Sequence, residues 1–213
     1  MPLAMTRALA LLLPLTFAPV GPARAEEAPQ ARAGLEEGRP RFAKGAEQWS
    51  LSLAQGTGLD IWGSKGADTA DVELIGLLPR FGIGLSDPVG TDSWYHGNLE
   101  LLVEANLLVA YGPKGGFLGG LGLAFRYNFL GFESVVPFVE IGGGVAQLEL
   151  DLEDQSDGLG FTAHGGLGVH WWLSEHTAFT ASWRLQHVSN AGVGRDNAGI
   201  NASTFLVGLS YFP

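Results

Sequence analysis

The chain has no cysteine, and its two methionines, Met1 and Met5, both lie near its start. Disulfides and thiolate-ligated metal sites are therefore excluded. Basic residues are also scarce. With Arg7 and Arg24 near the N-terminus set aside, 10 basic residues face 22 acidic ones, a net charge of −12. This balance argues against nucleic acid as a partner, because phosphate backbones are bound by positively charged surfaces.

A continuous apolar run occurs only at the N-terminus. Arg7 provides a positive start, residues 8–20 an apolar core, and Ala23-Arg24-Ala25 an A-x-A cleavage site. The run is shorter than the roughly 20 residues that a membrane-spanning helix needs. Residues 1–25 are therefore predicted to be a cleavable signal peptide. The charged stretch 26–46, rich in Pro, Ala and Gly, is predicted to be a flexible periplasmic segment.

The rest of the chain lacks an apolar stretch long enough for a transmembrane helix, although 46% of all residues are hydrophobic. Its 32 glycines fit closely packed strands and turns better than helices. Eight strand-like segments are predicted at 47–55, 71–85, 95–111, 118–129, 135–150, 160–173, 176–189 and 201–212. An exported chain of this kind predicts an all-β fold, an eight-stranded antiparallel transmembrane β-barrel of outer-membrane type, over residues 47–213.

Period-two alternation predicts which side chains face lipid. The outward row should include Leu101, Val103, Phe125, Val169 and Val207. The inward row should include Glu100, Glu104, Arg126, Glu140 and Arg184, with at least one Arg–Glu contact. A lipocalin-like soluble barrel would bury these charges in an apolar cup, at high cost. Because eight strands enclose only enough room for side chains, the barrel is not predicted to be a diffusion pore.

His187 and Ser189 stand two residues apart on the seventh predicted strand and therefore face the same side. They share the odd-numbered row with Phe179, Trp183 and Leu185, which is the apolar, lipid-facing row. With the N-terminus in the periplasm, this strand runs outward, so the pair should lie at the level of the outer leaflet. A serine hydroxyl next to a base is a nucleophile. A nucleophile that faces lipid implies a lipid substrate.

The motif H-x-S-N-x-G at 187–192, followed by N-x-G at 197–199 and a closing strand rich in aromatics, resembles the outer-membrane lipid A 3-O-deacylase (PagL-like) family. The segments GLGLAFRYNF and PFVEIGGGVAQLE, at 120–129 and 137–149, are similar to barrel strands of that family. The resemblance implies a serine esterase of the Gram-negative outer membrane that needs no cofactor or metal. Its substrate would be the lipid A of lipopolysaccharide, surrounded by outer-membrane lipid.

The resemblance also implies roles for individual residues. Ser189 matches the family nucleophile and His187 its general base. The side-chain amide of Asn190 and the backbone N–H of Gly192 match the oxyanion hole. The family's acidic third member is a glutamate fourteen residues after the histidine, whereas this chain has Asn201 there.

Asn201 can still orient a histidine through its carbonyl oxygen, as asparagine does in Cys-His-Asn proteases. It is in phase with Phe205 and Val207, which places it in the lipid-facing row. Asp196, in the preceding loop, is a rival for the same role.

Other interpretations remain open at this point. His164 and His170 share the inner face of strand six and could be metal ligands, although interior packing suits them better because no third ligand stands at fixed spacing. The acidic loop with Asp151, Glu153, Asp154 and Asp157 could hold a cation or be a solvated loop. The whole chain could instead be a non-catalytic barrel for adhesion or envelope integrity, or a phospholipase or acyltransferase. A homodimer is also compatible with the sequence.

Overall fold

A computed structural model describes residues 41–61, 67–112 and 114–213 and shows a closed antiparallel barrel. Each strand pairs with its neighbours in the sequence, and the last strand closes the barrel against the first. The predicted signal peptide, 1–25, and most of the predicted flexible segment, 26–40, lie outside the described residues. Among the residues that are described, no helix is long and apolar enough to cross a membrane.

The eight predicted strands are confirmed, with ends that differ by three residues at most. The strands are β1 (Glu47–Gly58), β2 (Glu73–Gly84), β3 (Gly97–Gly112), β4 (Gly116–Phe129), β5 (Val135–Glu149), β6 (Gly158–Trp172), β7 (Thr177–Ser189) and β8 (Ile200–Tyr211). The connection between β1 and β2 contains a single helical turn, α1 (Ala67–Ala70).

The middle of the barrel interior holds a neutralised network of charges. All five predicted inward charges are buried there, and Arg80 is a sixth member that the sequence did not reveal. Arg126 Nη2 lies 3.0 Å from Glu140, and Arg184 Nη1 lies 2.9 Å from Glu104. Three arginines therefore face three glutamates. Such pairing is what makes buried charge tolerable.

The interior is apolar between this network and the end of the barrel where β1, β3, β5 and β7 end. The alternation did not predict this. The buried side chains there come from every strand except β6 and from the connections after β1 and β5: Ala54, Val72, Leu74, Leu78, Leu108, Ala110, Leu118, Ala146, Leu148, Leu150, Leu152, Val188, Ile200 and Leu206. An eight-stranded barrel must fill its own interior with side chains. Where no charge partner is in reach, apolar residues fill it at the lowest cost.

The outward row is apolar along the height of the barrel, as predicted. Val103, Phe125 and Val207 expose between 45% and 50% of their surface, while Leu101 and Val169 are half-buried in the same row. So many exposed large apolar side chains would be unfavourable in water, but they suit contact with lipid.

The two ends of the barrel differ. At the end where the chain enters, residues 41–46, the last part of the predicted flexible segment, pack against the barrel. Phe42 contacts Trp172 and Phe212, and the Arg41 guanidinium lies 4.5 Å from the centre of the Trp172 ring. At the opposite end, called the loop end, the connections after β1, β3, β5 and β7 meet.

Candidate active site

His187 and Ser189 lie on the outward row of β7, close to the loop end. His187 pairs with Ala163 on β6 and with Asn201 on β8, and Ser189 pairs with Phe161. Both are half-buried, whereas the intervening Val188 points into the interior and is fully buried. The register therefore brings a histidine, a serine and an asparagine onto one patch of the lipid-facing surface.

A hydrogen bond joins His187 to Asn201 across β7 and β8. His187 Nδ1 lies 2.8 Å from Asn201 Oδ1. The Nδ2 of the same amide donates to the backbone carbonyl of Ile61, which can only accept a hydrogen bond. The amide orientation is thereby fixed, with its oxygen towards the imidazole. In neutral His187 the proton must then sit on Nδ1, which leaves Nε2 as the basic nitrogen.

Asn201 is held from outside the barrel as well as from β7. Although it belongs to the outward row, only 4% of its surface is exposed. The Leu59 N–H donates to the Asn201 carbonyl at 2.7 Å, and Ile61 accepts from its side chain. The chain leaving β1 therefore covers Asn201, so that its hydrogen bond to His187 is shielded from the surroundings. A shielded hydrogen bond is electrostatically stronger than an exposed one.

Ser189 follows His187 by two residues on the outward row of β7. The two residues project from the same face of one strand, with α-carbons about 6.5–7 Å apart given the rise per residue. Among the described residues, no hydrogen bond engages Ser189 Oγ. An unengaged hydroxyl is compatible with a catalytic pair, because catalytic hydrogen bonds commonly tighten only when a substrate is bound.

Asn190 and Gly192 form a tight turn directly after β7. Asn190 is buried, with 1% of its surface exposed. Its Oδ1 accepts the Gly192 N–H at 2.9 Å, and its Nδ2 donates to the Asp196 carbonyl at 2.8 Å. Gly192 has a positive φ of 80° and Ala191 one of 52°. The Gly192 N–H, which was predicted to donate to the oxyanion, donates to Asn190 Oδ1 in this structure. The Asn190 amide retains a second N–H, which is not used by Asp196.

Gly199 touches the imidazole from the β8 side. Its φ is +75°, and a β-carbon added there would lie 2.9 Å from His187 Cε1. Only glycine adopts this backbone conformation without strain and also leaves room for the ring. The sequence motif contained this glycine, but no pattern assigned it a role.

Asp196 contributes its backbone rather than its carboxylate to the site. Its carbonyl accepts from Asn190 Nδ2, and also from the Ser156 N–H at 2.9 Å. Its own N–H donates to Ser156 Oγ at 3.0 Å. The structure thus places Asn201, not the rival Asp196, against His187.

Two of the other candidate ligands, His170 and Asp157, have structural partners. His170 lies in the barrel interior with Nδ1 2.8 Å from Thr180 Oγ1 and Nε2 3.4 Å from Arg126 Nη1. In the acidic loop, Asp157 Oδ1 accepts the Leu150 N–H at 2.8 Å, which shapes the turn. Over the described ranges, no three histidine or acidic side chains are grouped as a metal site.

Comparisons with known proteins bear on the family and on the fold. The family described as lipid A 3-O-deacylase (PagL) matches residues 42–210. The solved structure of the outer membrane enzyme PagL aligns with a TM-score of 0.56 and 21% identity, covering 75% of this chain and 97% of that one. No curated protein sequence matches the chain.

Two other solved structures align with lower TM-scores. Neisserial surface protein A has a TM-score of 0.49 and 16% identity, covering 78% of this chain and 94% of its own. Ail, the attachment invasion locus protein of Yersinia pestis, has a TM-score of 0.47 and 12% identity, covering 80% and 99%.

Proposed function

Because this outer-membrane barrel belongs to the lipid A 3-O-deacylase (PagL) family, we propose that it hydrolyses the ester-linked acyl chain at the 3-O position of lipid A by a serine–histidine mechanism. The observation that carries the proposal is the hydrogen bond from His187 Nδ1 to Asn201 Oδ1, next to Ser189 on the lipid-facing row. It leaves a basic nitrogen and a free hydroxyl on the surface where lipid lies.

The chemistry proceeds in two half-reactions. Ser189 Oγ attacks the ester carbonyl carbon while His187 Nε2 takes the hydroxyl proton. The tetrahedral intermediate collapses, and the same proton passes to the departing sugar oxygen, leaving an acyl ester on the serine. Water then attacks this ester with His187 as the base, which releases the fatty acid and restores Ser189.

Asn201 takes the place that a carboxylate fills in the usual triad. Its oxygen accepts the Nδ1–H and holds the ring in the tautomer that this chemistry requires. It stabilises the imidazolium by its dipole rather than by a full negative charge. We therefore expect a slower enzyme than one with glutamate at this position, but with the same proton path.

Asn190 is the proposed donor to the oxyanion. One N–H of its amide is used by Asp196, and the second remains for the developing negative charge. Gly192 then acts through Asn190, since its N–H fixes the rotation of the amide.

The surface beside His187 offers a place for an acyl chain. Gly143, Ala163 and His187 occupy one cross-strand row on the outward face of β5, β6 and β7. Gly165 follows on β6, where an added β-carbon would meet nothing closer than 3.9 Å, and the bulkier Leu167 comes next. Small residues beside larger apolar ones leave room for a hydrocarbon chain to lie against the outward face next to the site.

The proposed location of the site follows from the direction in which the strands cross the outer membrane. Cleavage of residues 1–25 after export would leave the new N-terminus in the periplasm, with the loop end of the barrel outside the cell. The site would then lie at the outer leaflet, where lipid A resides.

The test is an assay of the purified, folded barrel in detergent micelles with lipid A and, in parallel, with a diacyl phospholipid. We expect release of one fatty acid from lipid A and none from the phospholipid, and Ser189→Ala should abolish release. Ser203→Ala is the matched control, since Ser203 lies on the outward face of β8 and bonds only the Trp183 indole N–H. Release from the phospholipid alone would favour a phospholipase, and release from neither would favour a non-catalytic barrel.

A further inference from the structure

The connection between β5 and β6 is hydrogen-bonded to the connection between β7 and β8. Ser156 and Asp196 exchange two hydrogen bonds, of 2.9 and 3.0 Å. The Ala198 N–H donates to the Asp154 carbonyl at 2.9 Å. The two connections therefore form one hydrogen-bonded unit at the loop end, although they are about forty residues apart in sequence.

Gln155 is the side chain that reaches furthest across this unit. It forms an isolated bridge with Asn197, and only 1% of its surface is exposed. Its Oε1 accepts the Gly199 N–H at 3.0 Å, and its Nε2 donates to the Ser156 carbonyl at 3.3 Å. A buried amide with both ends hydrogen-bonded holds the backbone that it contacts, because breaking either bond leaves an unpaired polar group.

The peptide held by Gln155 is the one that touches His187. Gly199 lies against Cε1 of the imidazole, and Asn201, two residues later, binds Nδ1. Both contacts on the ring therefore come from the segment 199–201, whose start Gln155 fixes. We propose that Gln155 is a positioning residue for His187, which acts through the Gly199 backbone; this rests on the proposed function.

The position of Gln155 determines which kinetic constant it affects. It is buried under the loops and does not belong to the outward row that meets lipid. Removing its oxygen leaves the Gly199 N–H unpaired and frees the Gly199 peptide to move relative to the ring. Turnover should fall, while substrate binding, which uses the apolar surface of β5–β7, should not change.

The experiment compares variants of the full, folded barrel. Gln155→Met has nearly the same shape but lacks the oxygen that accepts the Gly199 N–H, and we expect it to lower kcat by about tenfold to a hundredfold, as small misplacements of a catalytic group do. Its KM for lipid A should stay within about twofold. A substitution that weakened the binding of substrate and transition state equally would instead raise KM and leave kcat unchanged. Gln155→Glu keeps an oxygen for Gly199 and should recover a large part of that loss.

Ser156→Ala is the matched control, because it removes a hydrogen bond between the same two connections without touching Gly199. It should keep kcat close to that of the unmodified protein. An unchanged kcat in Gln155→Met, or an equal loss in Gln155→Met and Ser156→Ala, would overturn the proposal. These outcomes are separate from failure of the proposed function, which is shown by activity that survives Ser189→Ala.

Discussion

Gly199→Ala tests the contact between the β7–β8 connection and the imidazole. The new methyl carbon would lie 2.9 Å from His187 Cε1. Carbon atoms prefer a separation of about 3.5–4.0 Å, so the ring must retreat by about half an ångström or more. That retreat would disturb the 2.8 Å hydrogen bond to Asn201. Because a misplacement on the order of 1 Å can cost about a hundredfold in rate, we expect kcat to fall by about tenfold to a hundredfold.

The substitution also carries a backbone cost, which a second glycine isolates. Alanine in the left-handed region costs roughly 1–2 kcal/mol. Gly45 has a φ of +79°, close to the +75° of Gly199, and an added β-carbon there meets nothing within 4 Å. Gly45→Ala should therefore lose similar stability, measured by urea titration in micelles, yet keep full activity. Equal activity in the two variants would refute the contact argument.

The remaining predictions concern the orienting residue, the oxyanion donor and the interior network. Asn201→Ala should lower kcat by about tenfold, because it removes one hydrogen bond worth roughly 1–1.5 kcal/mol, whereas Asp196→Ala should leave kcat unchanged. The reverse result would mean that Asp196 orients His187. Asn190→Ala should lower kcat by about a hundredfold to a thousandfold in the same lipid A assay, and a smaller effect would exclude a direct oxyanion contact. Arg184→Met should destabilise the barrel by about 3–5 kcal/mol in urea titration, because it leaves a buried carboxylate short of a partner, and an unchanged midpoint would contradict that role.

The strand pattern was predictable because each face of a membrane barrel meets a different environment. In β7, polar residues such as Arg184 and Gln186 alternate with apolar ones, so the period-two pattern was enough to place His187 on the outward face. In β2 both rows are largely apolar. Leu77 faces outward and Leu78 inward, and Arg80 was missed for that reason. The apolar part of the interior towards the loop end was not predicted for the same reason.

The candidate site was predictable only where it lies on strands. The outward placement of His187 and Asn201 follows from alternation, while the resemblance to the family pointed to Asn201, fourteen residues after the histidine. Gln155 and Gly199 did not follow, because their contact joins two irregular connections, and no periodicity relates residues in such loops. The engagement of the Gly192 N–H by Asn190 likewise depends on the turn geometry after β7.

The central claim is that Ser189 and His187 remove an ester-linked acyl chain from lipid A. The most direct test is mass spectrometry of lipid A from a Gram-negative host that produces the unmodified chain, Ser189→Ala or His187→Ala, with folded barrel verified in each outer membrane. The unmodified chain should yield lipid A that has lost one 3-O-linked acyl chain, and both variants should leave lipid A intact. Intact lipid A with the unmodified chain, or deacylated lipid A with Ser189→Ala, would contradict the account.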